Sequence, residues 1–543
     1  MQSHVWRLKT KNYSPKVNNW LSFVLAKNRG LATKKQLDDF LNPSLNQILN
    51  VKLTDTQKAI QRIIKAIGKK EKVIVYSDYD ADGICGSAIM WETLFDLGAD
   101  VLPYVPHRIN EGYGFYIPSI EKLASSGVSL IVTVDHGVTA VKQIEAAKKL
   151  GIDVIVTDHH LLPKSLPKPY ALVHSVQLCG AAVAWRFCFD LVAQFKPSYK
   201  KILISKLELA AIATIADLVP LTGANRAIVK LGLEILASTV RPGLKSLISE
   251  SNINYQIGSY EIGHILAPRI NAMGRIEHGL DALRLICAKS TKSADELARL
   301  LSKTNTKRQE LTTNAITQAV DLVTKEHLVG VVSHKSWHEG VIGLVASRLV
   351  EVHHKPMVVI SRGEQFSKGS ARSIPGFNIV DAIRASSEYL IDAGGHPMAA
   401  GFTIETRHIE TFSRKINAYA QGKLTEDLLE RVINIECELE KSDINSKTLS
   451  QIKTFEPYGI ANPQPVFLTK GILVEDVRGV GQDNKHLKLQ LDNIGAIGFN
   501  MGEERSRLRP GYLIDVVYTI DSDRFNGRSK IQMKIKDFKI AKS

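Results

Sequence analysis

Val73-Ile74-Val75-Tyr76-Ser77-Asp78-Tyr79-Asp80-Ala81-Asp82-Gly83 decides the fold. Four apolar residues run without alternation and then give way to three acids spaced two apart. A continuous apolar run of this length reads as a strand covered on both faces. The acids read as a strand end opening into a turn, with Gly83 and a following helix able to offer backbone donors to a phosphate. Two further runs repeat the pattern. Leu130-Ile131-Val132-Thr133-Val134 ends in Asp135-His136-Gly137, and Val154-Ile155-Val156-Thr157 ends in Asp158-His159-His160. A helical stretch over 140–150 separates them, which predicts a parallel, doubly wound α/β sheet.

Working outward, residues 1–45 read as a helical preface closed by Asn42-Pro43. Residues 180–324 are mostly helical. The 293–325 stretch has no Pro or Gly and carries a drifting stripe of Leu297, Leu300, Leu301, Leu311, Ala315, Ala319, Leu322 and Val323. One long helix joining two lobes accounts for it, and a bundle helix is the plainer alternative. A second α/β pattern begins near Leu328, with strands at 328–333 and 357–361 around an apolar helix at 341–352. Beyond Val432 the apolar residues alternate in period two between turn signals, which predicts a small all-β barrel.

The chain has 543 residues, too many for one core, so two to four domains are expected. It carries 70 basic against 55 acidic residues, a net charge of +15, which favours a polyanionic partner, nucleic acid first. The five cysteines are scattered with no Cys-x-x-Cys pair, as expected for a reducing, cytoplasmic compartment without structural zinc. No stretch is apolar enough for long enough to span a bilayer, and the first residues lack an apolar signal core.

In a parallel sheet, ligands bind beyond the carboxyl ends of the strands. Three acid-bearing strand ends therefore converge on one crevice, where the carboxylates repel unless cations compensate. Oxygen ligands with one or two imidazoles suit two Mg²⁺ or Mn²⁺ ions, and a two-ion centre suits phosphodiester hydrolysis. A single Asp-x-Asp is common in turns and caps. Three acidic strand ends in one α/β unit are much harder to assign to capping.

These residues resemble the DHH phosphoesterase superfamily, named for the triplet seen at Asp158-His159-His160. Within it the chain is similar to the RecJ family. Pro268-Arg269-Ile270-Asn271-Ala272-Met273-Gly274-Arg275, Trp337-His338-Glu339-Gly340-Val341-Ile342-Gly343, Gly369-Ser370-Ala371-Arg372-Ser373, Gly394-Gly395-His396 and Pro457-Tyr458-Gly459 with Asn462-Pro463 match its signatures, in its order. The resemblance implies a DHH catalytic domain over 46–290, a connecting helix over 291–326, a DHH-associated domain over 327–428 and an OB-fold over 429–543. It implies a 5′→3′ exonuclease specific for single-stranded DNA, releasing 5′-mononucleotides in DNA repair and recombination. Two Mn²⁺ or Mg²⁺ ions, a monomeric chain, and a helicase or single-strand-binding protein as partner follow from the same source. A DHH phosphodiesterase of short oligonucleotides or cyclic dinucleotides is the alternative, and an inactive DNA-binding scaffold is an alternative of another class. Departures fall at Ala182, Ala267 and His174-Ser175.

By this carry-over the metal ligands are Asp80, Asp82, Asp135, His159 and Asp217, with Asp78 as ligand or support. Asp217, in Ile215-Ala216-Asp217-Leu218-Val219-Pro220, reads by itself only as a helix-end acid. His160, Asp158, His136 and His396 are the catalytic candidates, Asp158 as the group that positions the histidines. Arg108, Arg269, Arg275, Arg308, Ser370 and Arg372 are candidates to grip the strand, since guanidinium groups hold phosphate in bidentate fashion. Ser370 and Arg372 suit a terminal 5′ phosphate. Tyr113, Phe115 and Tyr116 serve either as base-stacking residues or as core.

Overall fold

The computed structural model describes residues 4–11, 19–108, 111–112, 114–523 and 530–541. Tyr113 lies outside the described residues. The chain forms two compact units. One comprises 52–217 and 232–431, and the other comprises 1–51, 218–231 and 432–543.

The first unit begins with the sheet read from the sequence. Five parallel strands lie in the order Asp100–Tyr104, Lys72–Ser77, Val128–Val134, Asp153–Asp158, Ala171–His174. Lys72–Ser77, Val128–Val134 and Asp153–Asp158 are adjacent, so their acidic ends share one edge. Their side chains are buried almost throughout, which is why apolar runs rather than alternation mark them. Helices cover the faces, among them Ala81–Asp96, Val141–Lys149 and Gly180–Phe195.

The long helix is Thr291–Val320, capped by the Ser290 side chain on the backbone N–H of Ser293. It leads to a second five-stranded sheet, ordered Leu390–His396, Ala399–Glu405, Phe366–Arg372, Met357–Ser361, Gly330–His334. Only the last two pair in parallel. Gly394-Gly395-His396 ends an edge strand of this sheet.

The other unit holds a six-stranded sheet, five strands of which close into a barrel while the short Cys437–Glu438 strand pairs with Phe467–Val480 outside it. The long strand Phe467–Val480 pairs with both His486–Leu491 and Leu513–Asp523, which closes the sheet on itself. The 1–45 preface is not purely helical. Val5–Leu8 forms a strand parallel to Val432–Ile435, because unsatisfied edge groups of the later segment are paired most directly by another strand. Leu21, Leu25 and Phe40 of the preface share one apolar core with barrel residues Phe467, Leu489 and Val516. Arg226 donates to the carbonyls of Phe40, Glu456 and Pro457 and lies 3.7 Å over the Phe40 ring, tying this core together.

Candidate metal centre

The three acidic strand ends meet the C-terminus of the Leu207–Ala216 helix, where Asp217 is the capping residue. His159 Nε2 lies 3.1 Å from Asp135 Oδ1, 3.7 Å from Asp217 Oδ2 and 3.8 Å from Asp82 Oδ2. Possible ligand atoms group as Asp78, Asp80 and Asp135; as Asp82, His159 and Asp217; and as Asp135, His159 and His160, each within 4.8 Å of one another. Asp135 and His159 each belong to two groups.

Local backbone chemistry fixes these side chains. Asp80 caps the Ala81–Asp96 helix, accepting from Asp82 N at 2.9 Å and Gly83 N at 3.0 Å. Asp82 sits on the N-terminus of the Gly180–Phe195 helix, accepting from Gly180 N and Ala181 N, both at 2.7 Å. Asp135 holds a left-handed φ of 66°, a strained backbone of the kind that persists where the surroundings over-determine it. Gly180 is the neighbour that leaves it room, because a Cβ there would stand 2.4 Å from Asp135 Oδ1. Gly83 has as little room, since a Cβ there would stand 2.6 Å from the Asp78 carbonyl oxygen.

Asp158 differs from the other acids. It accepts from Val138 N, His159 N, His160 N and His160 Nδ1, all between 2.7 and 3.1 Å. Burial would raise its pKa, but these bonds, led by the one from His160, carry it below the usual carboxylate range. His160 responds in kind: burial opposes its charge, but Asp158, Asp217 and Asp78 raise it to about 9. His136 turns inward. Its Nε2 donates to the Tyr76 carbonyl at 3.0 Å, its ring packs on Tyr76 and Phe115, and burial lowers its pKa to about 4. From the second lobe, the His396 ring stacks on His160 at 6.0 Å.

A metal fits these residues. Asp135 Oδ1 is buried with no hydrogen-bond donor, and an imidazole nitrogen, His159 Nε2, stands 3.1 Å from it. Burial first, then mutual repulsion, pushes Asp78, Asp80 and Asp135 above the usual carboxylate range and Asp217 to about 8. Cations remove both penalties. A metal-free protein must keep protons there instead. Between the ordinary value of 3.8 and about 8 the folded state then binds more protons than the unfolded state. Stability of EDTA-treated protein is therefore expected to fall as pH rises across that window, and Mn²⁺ is expected to abolish the fall. Thermal melts at pH 5 and pH 8, with and without Mn²⁺, check this; a metal-free melting temperature that rises with pH contradicts it.

Beside the acids lies a group of arginines. Arg275 is largely buried, and burial together with Arg108, Arg372 and Arg308 lowers its pKa to about 10. Among the described residues its hydrogen-bond partner is the Gly340 carbonyl at 3.3 Å, with no carboxylate in ion-pair range. Arg372 donates to Ser370 Oγ and the Ala371 carbonyl. Arg108 stacks over Tyr79 at 5.3 Å. Arg269 bonds the Ile265 carbonyl and Ser302, and Arg308 Nε is buried without a partner. Cations gathered with so few counter-charges form a site for anions.

Matches to known proteins follow the same layout. Residues 72–215 match the DHH family N-terminal domain, 315–422 the DHHA1 domain and 435–537 the RecJ OB domain. A single-stranded-DNA-specific exonuclease RecJ of Haemophilus influenzae is 32% identical over 93% of this chain and 94% of its own length. This chain belongs to the RecJ family. The RecJ of Bacillus subtilis is 37% identical over 89% of this chain, which spans 63% of that protein. The crystal structure of Thermus thermophilus RecJ in complex with Mn²⁺ superposes with a TM-score of 0.86 at 27% identity, over 99% of this chain and 80% of the other. The Mg²⁺ complex gives 0.80.

Sequence reasoning passed over two residues of this RecJ-family site. Asn271 Oδ1 accepts from Ala81 N at 2.7 Å and so pins the acidic turn. It lies inside the Pro268-Arg269-Ile270-Asn271 signature, which was the available signal. His174, one of the departures, donates from Nε2 to the His160 carbonyl at 2.8 Å. Its position at the end of the strand next to Asp153–Asp158 was the available signal.

Proposed function

We propose that the protein is a metal-dependent exonuclease that degrades single-stranded DNA from its 5′ end and releases 5′-mononucleotides. The observation that carries this is the pairing of a carboxylate–imidazole cluster with an arginine group drawn from both lobes of one unit. Names of RecJ relatives supply the substrate class, and the metal complexes of the Thermus thermophilus protein supply the ions.

Asp78, Asp80 and Asp135 would hold one ion, and Asp82, His159 and Asp217 the other. When bound, two such ions activate water and stabilise charge on the phosphoryl oxygens of the reacting phosphodiester. The rest is this chain's own work. Asp158 holds His160 by Nδ1, leaving Nε2 to donate to a phosphate oxygen. His396 buttresses that ring from the second lobe. Arg108, Arg275 and Arg372 neutralise the strand's phosphates and orient the terminal one beside Ser370. Arg269 and Arg308 extend the grip along the strand. His136 supports the strand end from beneath, through Tyr76. A polynucleotide substrate also accounts for the barrel, since OB-folds bind single strands by a basic groove with stacking side chains. A single-strand-binding protein or helicase is the partner proposed on family grounds.

Gly180→Ala tests the geometry without changing a charge. Its Cβ must displace Asp135, and its N–H anchors Asp82. A shift of an ångström in a reacting group costs about a hundredfold, so kcat on single-stranded DNA is expected to fall by that order while the far-UV spectrum stays the same. Activity within threefold of wild type contradicts the placement. The function itself is tested by offering a single strand, its duplex and a cyclic dinucleotide with Mn²⁺, Mg²⁺ or EDTA. Mononucleotides from the single strand alone, and only with metal, support it; preferential cleavage of the cyclic dinucleotide sinks it.

A further inference from the structure

The two peptide groups that flank Asp80 are both gripped by one segment, the helix Ala267–Ile276 and the turn after it. On one side of Asp80, the Tyr79 carbonyl faces Gly274, where a Cβ would stand 2.6 Å from the Tyr79 oxygen. On the other side, Ala81 N donates to Asn271 Oδ1 at 2.7 Å. Ala81 opens the Ala81–Asp96 helix, so its N–H has no acceptor inside that helix. Asn271, one helical turn before Gly274, supplies the acceptor from outside. Gly279 completes the grip, since a Cβ there would stand 3.0 Å from Tyr79 Cβ. The backbone on both sides of Asp80 is therefore set by this segment rather than by the strand that ends at Ser77.

Asp82 is held differently. Its oxygens accept from Gly180 N and Ala181 N, so its place depends on the Gly180–Phe195 helix. The two acids are two residues apart in sequence and anchored to separate elements. They also fall in separate ligand groups, Asp80 with Asp78 and Asp135, and Asp82 with His159 and Asp217.

The geometry points to Asn271 as a positioning residue that sets the affinity of one ion and not the other. The ion it governs is the one assigned to Asp78, Asp80 and Asp135. The inference rests on the reading of a two-ion centre. A group that orients a metal ligand from behind contributes roughly ten- to a hundredfold to metal affinity, and here that contribution reaches one ligand group alone.

The test titrates Mn²⁺ into the full chain without DNA and reads free Mn²⁺ by electron paramagnetic resonance. Wild type is expected to bind two ions. Asn271→Ala is expected to weaken one of them by roughly ten- to a hundredfold and to leave the other near its wild-type affinity. Gly274→Ala displaces the Tyr79 carbonyl without touching the hydrogen bond, and the same selective loss is expected. Asn271→Asp keeps an acceptor oxygen at the same reach and is expected to restore the affinity. Asp80→Asn identifies the ion: adding Asn271→Ala to it is expected to cost nothing further, because both changes act on one ligand. Equal weakening of both ions is what a merely structural role would give, and it overturns the inference. Unchanged affinities in Asn271→Ala, or a further loss in the Asp80→Asn background, overturn it as well. A wild type that binds a single ion overturns it and leaves the metal-dependent reading standing. A wild type that binds no Mn²⁺ overturns that reading too.

Discussion

Asp135→Asn is expected to lower the hydrolysis of single-stranded DNA by roughly three orders of magnitude, the scale set by removing one group that stabilises charge in a closed site. The change keeps the shape of the side chain and removes its charge. No other acid can substitute, because Asp135 alone among the acids belongs to two of the three ligand groups and reaches them from a strained left-handed backbone. The same substitution is expected to raise the melting temperature in EDTA, since Asp135 is held well above the usual carboxylate range by burial and by Asp82, Asp80, Asp78 and Asp217. Added Mn²⁺ is expected to stabilise the wild type more than the variant, because a ligand stabilises only the state that binds it. Turnover assays and melts with and without Mn²⁺ read both effects. Activity within tenfold of wild type, or an equal Mn²⁺ response, contradicts the role given to Asp135.

Glu92→Ala is expected to cost the Lys52–Asp217 region about 3–5 kcal/mol, the range for breaking a buried pair and leaving its partners charged. Glu92 lies on the helix that carries Asp82. It accepts from Arg241 Nη1 at 2.8 Å, Arg241 Nη2 at 2.7 Å and Lys206 Nζ at 2.8 Å. Arg241 also bonds Glu208 at 3.1 Å. All four side chains are buried or nearly so, with 3–15% of their surface exposed. Burial opposes the charge on Glu92, but Arg241 and Lys206 hold it below the usual range. Without Glu92, two cations remain against one carboxylate that is itself poorly solvated. Urea unfolding followed for the first transition measures the loss, read transition by transition because a chain of two units need not unfold in one step. A change under about 1 kcal/mol would mean that the network relaxes into solvent.

The strand-end acids were legible because a parallel sheet leaves no choice. Continuous apolar runs give the strands, and parallel pairing puts Asp78, Asp135 and Asp158 on one edge. What those acids do was less legible. Asp158 reads like its neighbours by pattern alone; the resemblance set it apart as the group that positions the histidines, and its oxygens are taken up by backbone amides and His160. His136 follows Asp135 in a sequence rich in ligand types, yet it faces Tyr76 and Phe115 in the core. Asp217 sits at a helix end, and no local pattern says that this end meets the sheet edge; only the resemblance brought it forward. The aromatic alternatives separate in part: Phe115 is 4% exposed and belongs to the core, whereas Tyr116 is 37% exposed. Contacts between distant segments were not legible. Val5–Leu8 pairs with Val432–Ile435, and Glu92, Lys206 and Arg241 meet from three helical segments that each look like an ordinary charged surface. Such partners have no shared periodicity, so pattern reading cannot find them.

The central claim is that the acids, the histidines and the bipartite arginine site act together on the end of a single strand. The most direct measurement follows one single strand labelled at the 5′ end and, separately, at the 3′ end, incubated with wild-type protein and Mn²⁺. The expected result is immediate release of labelled mononucleotide from the 5′-labelled strand, progressive shortening of the 3′-labelled one, and neither in EDTA. Release of label first from the 3′ end, or internal cuts, or hydrolysis that survives EDTA, would contradict it.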